Sequence, residues 1–117
     1  MRYTRQQHLR KEADFHEIRA SGIRRECGFF YLNLLELPGR EPPLRRAGFI
    51  ASRRVGNAVR RNRARRLMRE AFRHQQDLLP PSCDLVMVAR PSISRARSAD
   101  IERRLAGAIK SLPAHQA

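Results

Sequence analysis

Apolar positions along this chain fall into helical and strand rhythms, and each rhythm predicts an element. Ala13, Phe15 and Ile18, flanked by Glu12, Asp14 and Glu17, predict a short amphipathic helix beginning near Lys11. Its acids sit near the N-terminal end, as the helix dipole favours, and Gly22 is a natural stop. Residues 29–36 (FFYLNLLE) carry aromatic and branched side chains with few polar interruptions, the pattern of a largely buried strand. Residues 37–43 (LPGREPP) contain three prolines and a glycine, so they connect rather than continue, and residues 47–52 (AGFIAS) are expected as a hairpin partner. Gly56 and Asn57 break that strand, with Asn57 placed to cap a helix over 58–74. After Pro80 and Pro81, residues 85–89 (LVMVA) read as a buried strand, completing a strand, helix, strand unit. Ile101, Leu105, Ala108, Ile109 and Leu112 then recur at helical spacing, with Ser98 or Asp100 as cap. Residues 1–10 hold Arg2, Arg5, His8 and Arg10 around one apolar Leu9 and are expected to form a flexible basic arm; residues 113–117 are expected as a flexible tail.

The 117 residues, 41% of them hydrophobic, suffice for one compact domain with one core, and residues 1–117 are read as that single domain. Lys plus Arg number 25 against 11 Asp plus Glu, a net charge of +14 that calls for an anionic partner. Only Lys11 and Lys110 are lysines, so the charge is almost all guanidinium, which suits bidentate phosphate contacts and stacking on bases. Nucleic acid fits that chemistry better than lipid headgroups. Cys27 and Cys83 stand far apart without a CxxC or a His pair beside them and read as reduced thiols of a cytoplasmic protein. No apolar run reaches the length of a signal peptide core or a membrane span.

The charge is concentrated. Residues 53–73 (RRVGNAVRRNRARRLMREAFR) hold nine arginines against Glu70 alone, 9 minus 1 or +8. At 100° per residue, Ala64, Leu67, Met68, Ala71 and Phe72 share one arc, and Asn62, Arg65, Arg66, Arg69 and Arg73 the opposite one. Arg60 and Arg61 project toward the apolar side, but they lie in the first turn, where they are expected to escape burial. There they join Arg53, Arg54 and Asn57 around a helix N-terminus whose free N–H groups favour phosphate. A merely solvated face normally mixes both signs. Here Arg61, Arg65, Arg69 and Arg73 follow one another at i, i+4 and repel, which an external polyanion relieves.

The ordered run Arg53-Arg54-Val55-Gly56-Asn57-Ala58-Val59-Arg60-Arg61-Asn62-Arg63, continuing through Arg65, Arg66, Arg69 and Glu70, resembles the signature of the bacterial ribonuclease P protein family. The likeness extends over nearly the whole chain, from the basic arm and the helix holding Asp14-Phe15 to the last helix. It implies an α/β two-layer sandwich of αβββαβα order, with a central sheet and a left-handed βαβ crossover that general handedness rules disfavour. The residues by themselves show only three clear strands. The likeness further implies a subunit that binds a catalytic RNA through Arg53, Arg54, Asn57, Arg60, Arg61, Asn62, Arg63, Arg65, Arg66, Arg69 and Arg73. A cleft lined by Phe15, with Phe30 and Arg19, would take the 5′ leader of precursor tRNA. Arg19 stands where the family often has an aromatic, replacing stacking with a guanidinium contact. Phe15 read by itself fits a core position beneath the sheet equally well; Phe29, Tyr31, Phe49, Phe72, Met68 and Met87 read as core.

The implied partners are the catalytic RNA and precursor tRNA, the protein itself being monomeric, and the implied cofactor is Mg²⁺ held mainly by the RNA. A self-sufficient metal nuclease would need converging carboxylates, whereas Asp14 and Glu17 read as dipole compensation and His8, His16, His74 and His115 lack ligand spacing. No Ser or Cys has a neighbouring His as base, so no catalytic and no metal-binding residue is assigned to the chain. A ribosomal-type structural RNA binder is the alternative that composition permits, and the ordered R-N-R run speaks against it.

Overall fold

The computed structural model describes residues 2–112. In chain order they form α1 (Glu12–Ser21), β1 (Ile23–Glu26), β2 (Phe30–Glu36), β3 (Arg45–Ile50), α2 (Ala58–Gln75), β4 (Cys83–Ala89) and α3 (Ser98–Lys110). Short 3₁₀ turns sit at Arg5–Gln7, Gln76–Leu78 and Pro91–Arg95. The expected αβββαβα sequence of elements is therefore present. Residues 113–117, expected as a flexible tail, lie outside the described residues.

The four strands form one sheet in the order β1-β2-β4-β3. The hairpin expected between β2 and β3 does not form. β4 lies between them, antiparallel to β2 (Leu32 opposite Met87) and parallel to β3 (Phe49 opposite Met87). The reason is burial: β4 (CDLVMVA) is sequestered at six of its seven positions, so both its faces and both its edges belong inside. The α2 crossover supplies the long return that a parallel pair needs. β1 (IRRE) has no apolar run and leaves no pattern in the sequence. As an edge strand it needs only backbone pairing, and β2 offers it from Ile23 opposite Leu34 to Glu26 opposite Tyr31.

Strand alternation divides the sheet into two unlike faces. Phe30, Leu32 and Leu34 of β2 and Leu85 and Met87 of β4 point to the side covered by α2 and α3, where they meet Met68, Phe72, Ile101, Leu105 and Ile109 in the main core. Each of these side chains is almost wholly withdrawn from water, and burial on that scale stabilises by roughly 1.5–3 kcal/mol per large apolar residue. On the opposite face Val86 packs with Ile18 of α1 and with Leu9, and Phe15, Leu35 and Val88 border that smaller cluster. α1 covers only part of this face and leaves a groove beside it.

Residues 2–10 pack where the sequence suggests a flexible arm. Tyr3 Oη donates to Ala47 O (2.7 Å), Leu9 N donates to the same carbonyl (3.1 Å), and the Tyr3 ring meets Phe49 and Phe72 edge-on. Gln7 Nε2 donates to Gln76 Oε1 (2.9 Å) inside the protein, tying the segment to the end of α2. These anchors are single residues without periodicity, which is why pattern reading passes over them. α3 is likewise capped differently from the expectation: Arg97 is the N-cap, and Asp100, three residues into the turn, accepts from Arg97 N (2.9 Å).

Cys27 and Cys83 are free and buried, and burial pushes their thiols up to about 11 and about 12. Both are thus thiols at neutral pH, and we expect neither to react with an alkylating reagent until the protein unfolds. Mass spectrometry after brief alkylation with and without denaturant checks this; rapid native labelling of Cys83 would contradict the burial.

Candidate nucleic-acid interface

The arginine-rich segment forms α2 with its entry turn, and its local structure follows from two residues. Asn57 caps the helix, its Oδ1 accepting from Arg60 N (3.0 Å). Gly56 has φ +143, and a Cβ there would stand 2.7 Å from Arg60 Cδ, so the entry is open to glycine alone without rearrangement. Val55 is buried and pins the turn to the core, leaving Arg53 and Arg54 exposed on either side of the chain's path.

The predicted helical arcs separate as expected. Ala64, Met68, Ala71 and Phe72 are buried and Leu67 is half-buried, while Asn62, Arg66 and Arg69 face solvent. Arg65 is half-buried, donating from Nη1 to Asn62 Oδ1 (2.9 Å) and reaching Ala51 O (3.4 Å). Arg60 and Asn57 are exposed beside the entry turn. Arg61 escapes only partly: the residue is half-buried, and its Nε is a buried donor without a hydrogen-bond partner. Two arginines carry structural roles besides charge. Arg63 donates to Ala96 O (2.8 Å) and Ile93 O (3.5 Å), clamping the Pro91–Arg95 turn against α2. Arg73 is bridged by Glu70, with Nη2 to Oε2 at 2.7 Å, and this contact holds the Glu70 carboxyl below the usual carboxylate range. Among the described residues the other eight arginines between 53 and 69 make no ion pair. Val59, 77% exposed, lies among them on the outer face with Asn62, Arg66 and Arg69.

The three residues expected at the leader cleft part company. Phe15 is half-buried and lines a groove between α1 and the sheet with Arg19, Asn33, Ile50, Val86 and Val88. Its ring lies on Gly48 of β3, where a Cβ would come within 2.7 Å of Phe15 Cε1, so the glycine provides the flat floor. Arg19 is exposed at the groove. Phe30 is not in it: its side chain has no exposure and belongs to the main core, because in β2 the even positions face α2 and α3. The odd position beside it, Tyr31, is the one turned to the groove side. The sequence pattern suggests a core place for it, yet it is half-buried, with Arg24 Cζ 4.3 Å and Arg90 Cζ 5.2 Å from the ring centroid. Arg90 is itself held by Glu26 (2.8 Å). The missed residues Tyr31 and Asn33 had a signal: in FYLNLLE the single amide marks the wetter face, and Tyr31 shares its parity.

A family model described as Ribonuclease P matches residues 3–113. The ribonuclease P protein component of Desulforapulum autotrophicum is 29% identical over 110 residues, covering 94% of this chain and 92% of that protein. That of Ruegeria pomeroyi is 39% identical over 94 residues, covering 79% and 74%. Among solved structures, the Staphylococcus aureus RNase P protein superposes with a TM-score of 0.76 at 26% identity, covering 89% of this chain and 93% of that one. The Thermotoga maritima RNase P protein gives 0.75 at 26%, covering 90% and 96%. The basic helix entered through a glycine and a capping asparagine thus sits on a chain that the family model matches over residues 3–113 and that shares most of its length with these proteins, and this chain belongs to the ribonuclease P protein component family.

Proposed function

We propose that this chain, as a subunit of ribonuclease P, grips the catalytic RNA with the outer face and entry turn of α2 while the groove beside Phe15 and Arg19 takes the 5′ leader of precursor tRNA. The holoenzyme then removes the leader hydrolytically, leaving a 5′-phosphate on the mature tRNA. The observation that supports this best is the sorting of α2: one face is core, and the other presents guanidiniums that, among the described residues, no carboxylate neutralises until Arg73.

The protein's contribution is electrostatic and positional. Guanidiniums at Arg53, Arg54, Arg60, Arg66 and Arg69 neutralise phosphates and lower the repulsion between two folded RNAs. The capped N-terminus of α2 adds N–H groups suited to a phosphate oxygen. In the groove, the Phe15 face suits a base and the Arg19 guanidinium a base or phosphate. Mg²⁺ supplies an activated water for hydrolysis when bound. Among the described residues no group of three or more His, Cys, Asp or Glu side chains has the arrangement to hold a metal ion, and the reading adopted assigns Mg²⁺ mainly to the RNA. The protein is read as a cytoplasmic monomer; no described helix is long and apolar enough to cross a membrane.

Adding the purified protein to a bacterial ribonuclease P RNA at low Mg²⁺ tests the proposal, with leader cleavage expected to rise. Unchanged cleavage would favour a structural RNA binder, and cleavage without the RNA subunit would make the chain a nuclease. If about six phosphates are contacted, affinity falls roughly a thousandfold between 50 and 200 mM salt.

A further inference from the structure

The first turn of α1 is tied to the sheet by a chain of charges that neither core packing nor RNA binding explains. Asp84 of β4 is the only acid buried among the described residues, its side chain 4% exposed, and it accepts from Arg46 of β3 through both oxygens (Nε to Oδ1 2.9 Å, Nη2 to Oδ2 2.7 Å). Arg40, from the connection before β3, also donates to Oδ1 (2.8 Å). A bidentate pair fixes the plane of the Arg46 guanidinium. Its remaining nitrogen, Nη1, is thereby aimed at Asp14 Oδ2 of α1 (3.4 Å). Asp84 and Asp14 together hold the Arg46 guanidinium protonated more firmly than usual.

α1 needs such a tie. Ile18 is its one buried residue, and its N-cap, Lys11, makes no side-chain capping bond. The contacts through Ile18 and the half-buried Phe15 are apolar and non-directional, so a helix held by them alone can pivot over the sheet. The Asp14 contact is directional, sits one turn away, and immediately precedes Phe15.

We infer that Asp14 is a positioning residue: through Arg46 and the buried Asp84 it sets the angle of α1, and so places Phe15 and Arg19 at the width a single-stranded leader needs. This rests on the leader reading of the groove. The sign of the effect separates it from general electrostatics, because removing an acid from a basic RNA-binding surface should by itself strengthen RNA binding.

The test measures how much more tightly the reconstituted holoenzyme binds precursor tRNA than leaderless tRNA, for the wild type, Asp14→Ala and Glu12→Ala, with affinity for the RNA subunit measured alongside. Glu12 is an exposed acid of the same first turn and serves the helix dipole alone. Asp14→Ala should cut the preference for the leader roughly two- to fivefold, the scale of a partly exposed ion pair, with RNA-subunit affinity unchanged or tighter. Glu12→Ala should leave the preference intact. In a Phe15→Ala background, Asp14→Ala should cost less than in the wild type, since only Arg19 is left for it to place. A wild type without leader preference would overturn the leader reading. A wild type with the preference, retained in Asp14→Ala or lost equally with Glu12→Ala, would overturn the positioning role, as would additive losses with Phe15→Ala.

Discussion

Replacing Arg60, Arg66 and Arg69 together by alanine is expected to flatten the salt dependence of RNA-subunit binding by about 2.7 units in the slope of log K against log salt, about 0.9 for each phosphate no longer neutralised. All three side chains are exposed, and no ion pair or hydrogen bond within the described protein depends on them. Folding should therefore survive. The free protein should even gain stability, because Arg65 and Arg69 repel at i, i+4 and alanine has the highest helix propensity. Weaker binding by a more stable protein is an uncommon combination, and it follows only if the repulsion is retained for an external polyanion. Filter binding across a salt series and thermal denaturation of the free protein decide it. Arg73→Ala is the internal comparison: Glu70 already neutralises that guanidinium, so the slope should barely change. A triple variant with the wild-type slope would remove this face of α2 from the interface.

Asp84→Ala should lower the stability of the free protein by about 3 kcal/mol, out of roughly 5–15 kcal/mol for a domain of ordinary stability. The effect arises less from the three hydrogen bonds themselves than from Arg40 and Arg46, which would be left facing one another with only the longer Asp14 contact to Arg46 (3.4 Å) as counter-charge. Their side chains are 21% and 25% exposed, so water relieves part of that cost, which places the expectation at the low end for a broken buried pair. Arg40→Ala leaves the bidentate Arg46 contact in place and should cost less than about 1 kcal/mol. Urea denaturation of both variants measures the difference. Equal, small losses would mean that the cluster is stabilised by packing of the arginine stems instead of by charge.

The elements most visible in the sequence were those with long, single-signed patterns. The α2 wheel separated buried from exposed residues because its apolar arc, Ala64 through Phe72, repeats over about two turns. Asn57 was legible as a cap because the chemistry of a helix start is local, and the structure places its Oδ1 on Arg60 N. β1 was illegible since an edge strand of four residues is formed by its neighbour's unpaired backbone, not by its own side chains. The packing of the N-terminal segment, which by sequence reads as a flexible basic arm, is not legible locally because Tyr3, Gln7 and Leu9 find partners in β3 and at the end of α2, distant in sequence.

What the sequence determined by itself was the chemistry: a single-signed helix face, its capped entry, and a charge that demands a polyanion. Those follow from residue identity and helical period, both local quantities. Tertiary structure alone decided the order of strands, which turned an expected hairpin into a sheet with β4 at its centre, and with it the facing of every β2 residue. Phe30 became core and Tyr31 was left half-buried on the opposite face because strand parity is absolute only once a face has been assigned. The same packing brought Asp14, Arg46 and Asp84 together from three elements, a cluster that no local pattern encodes.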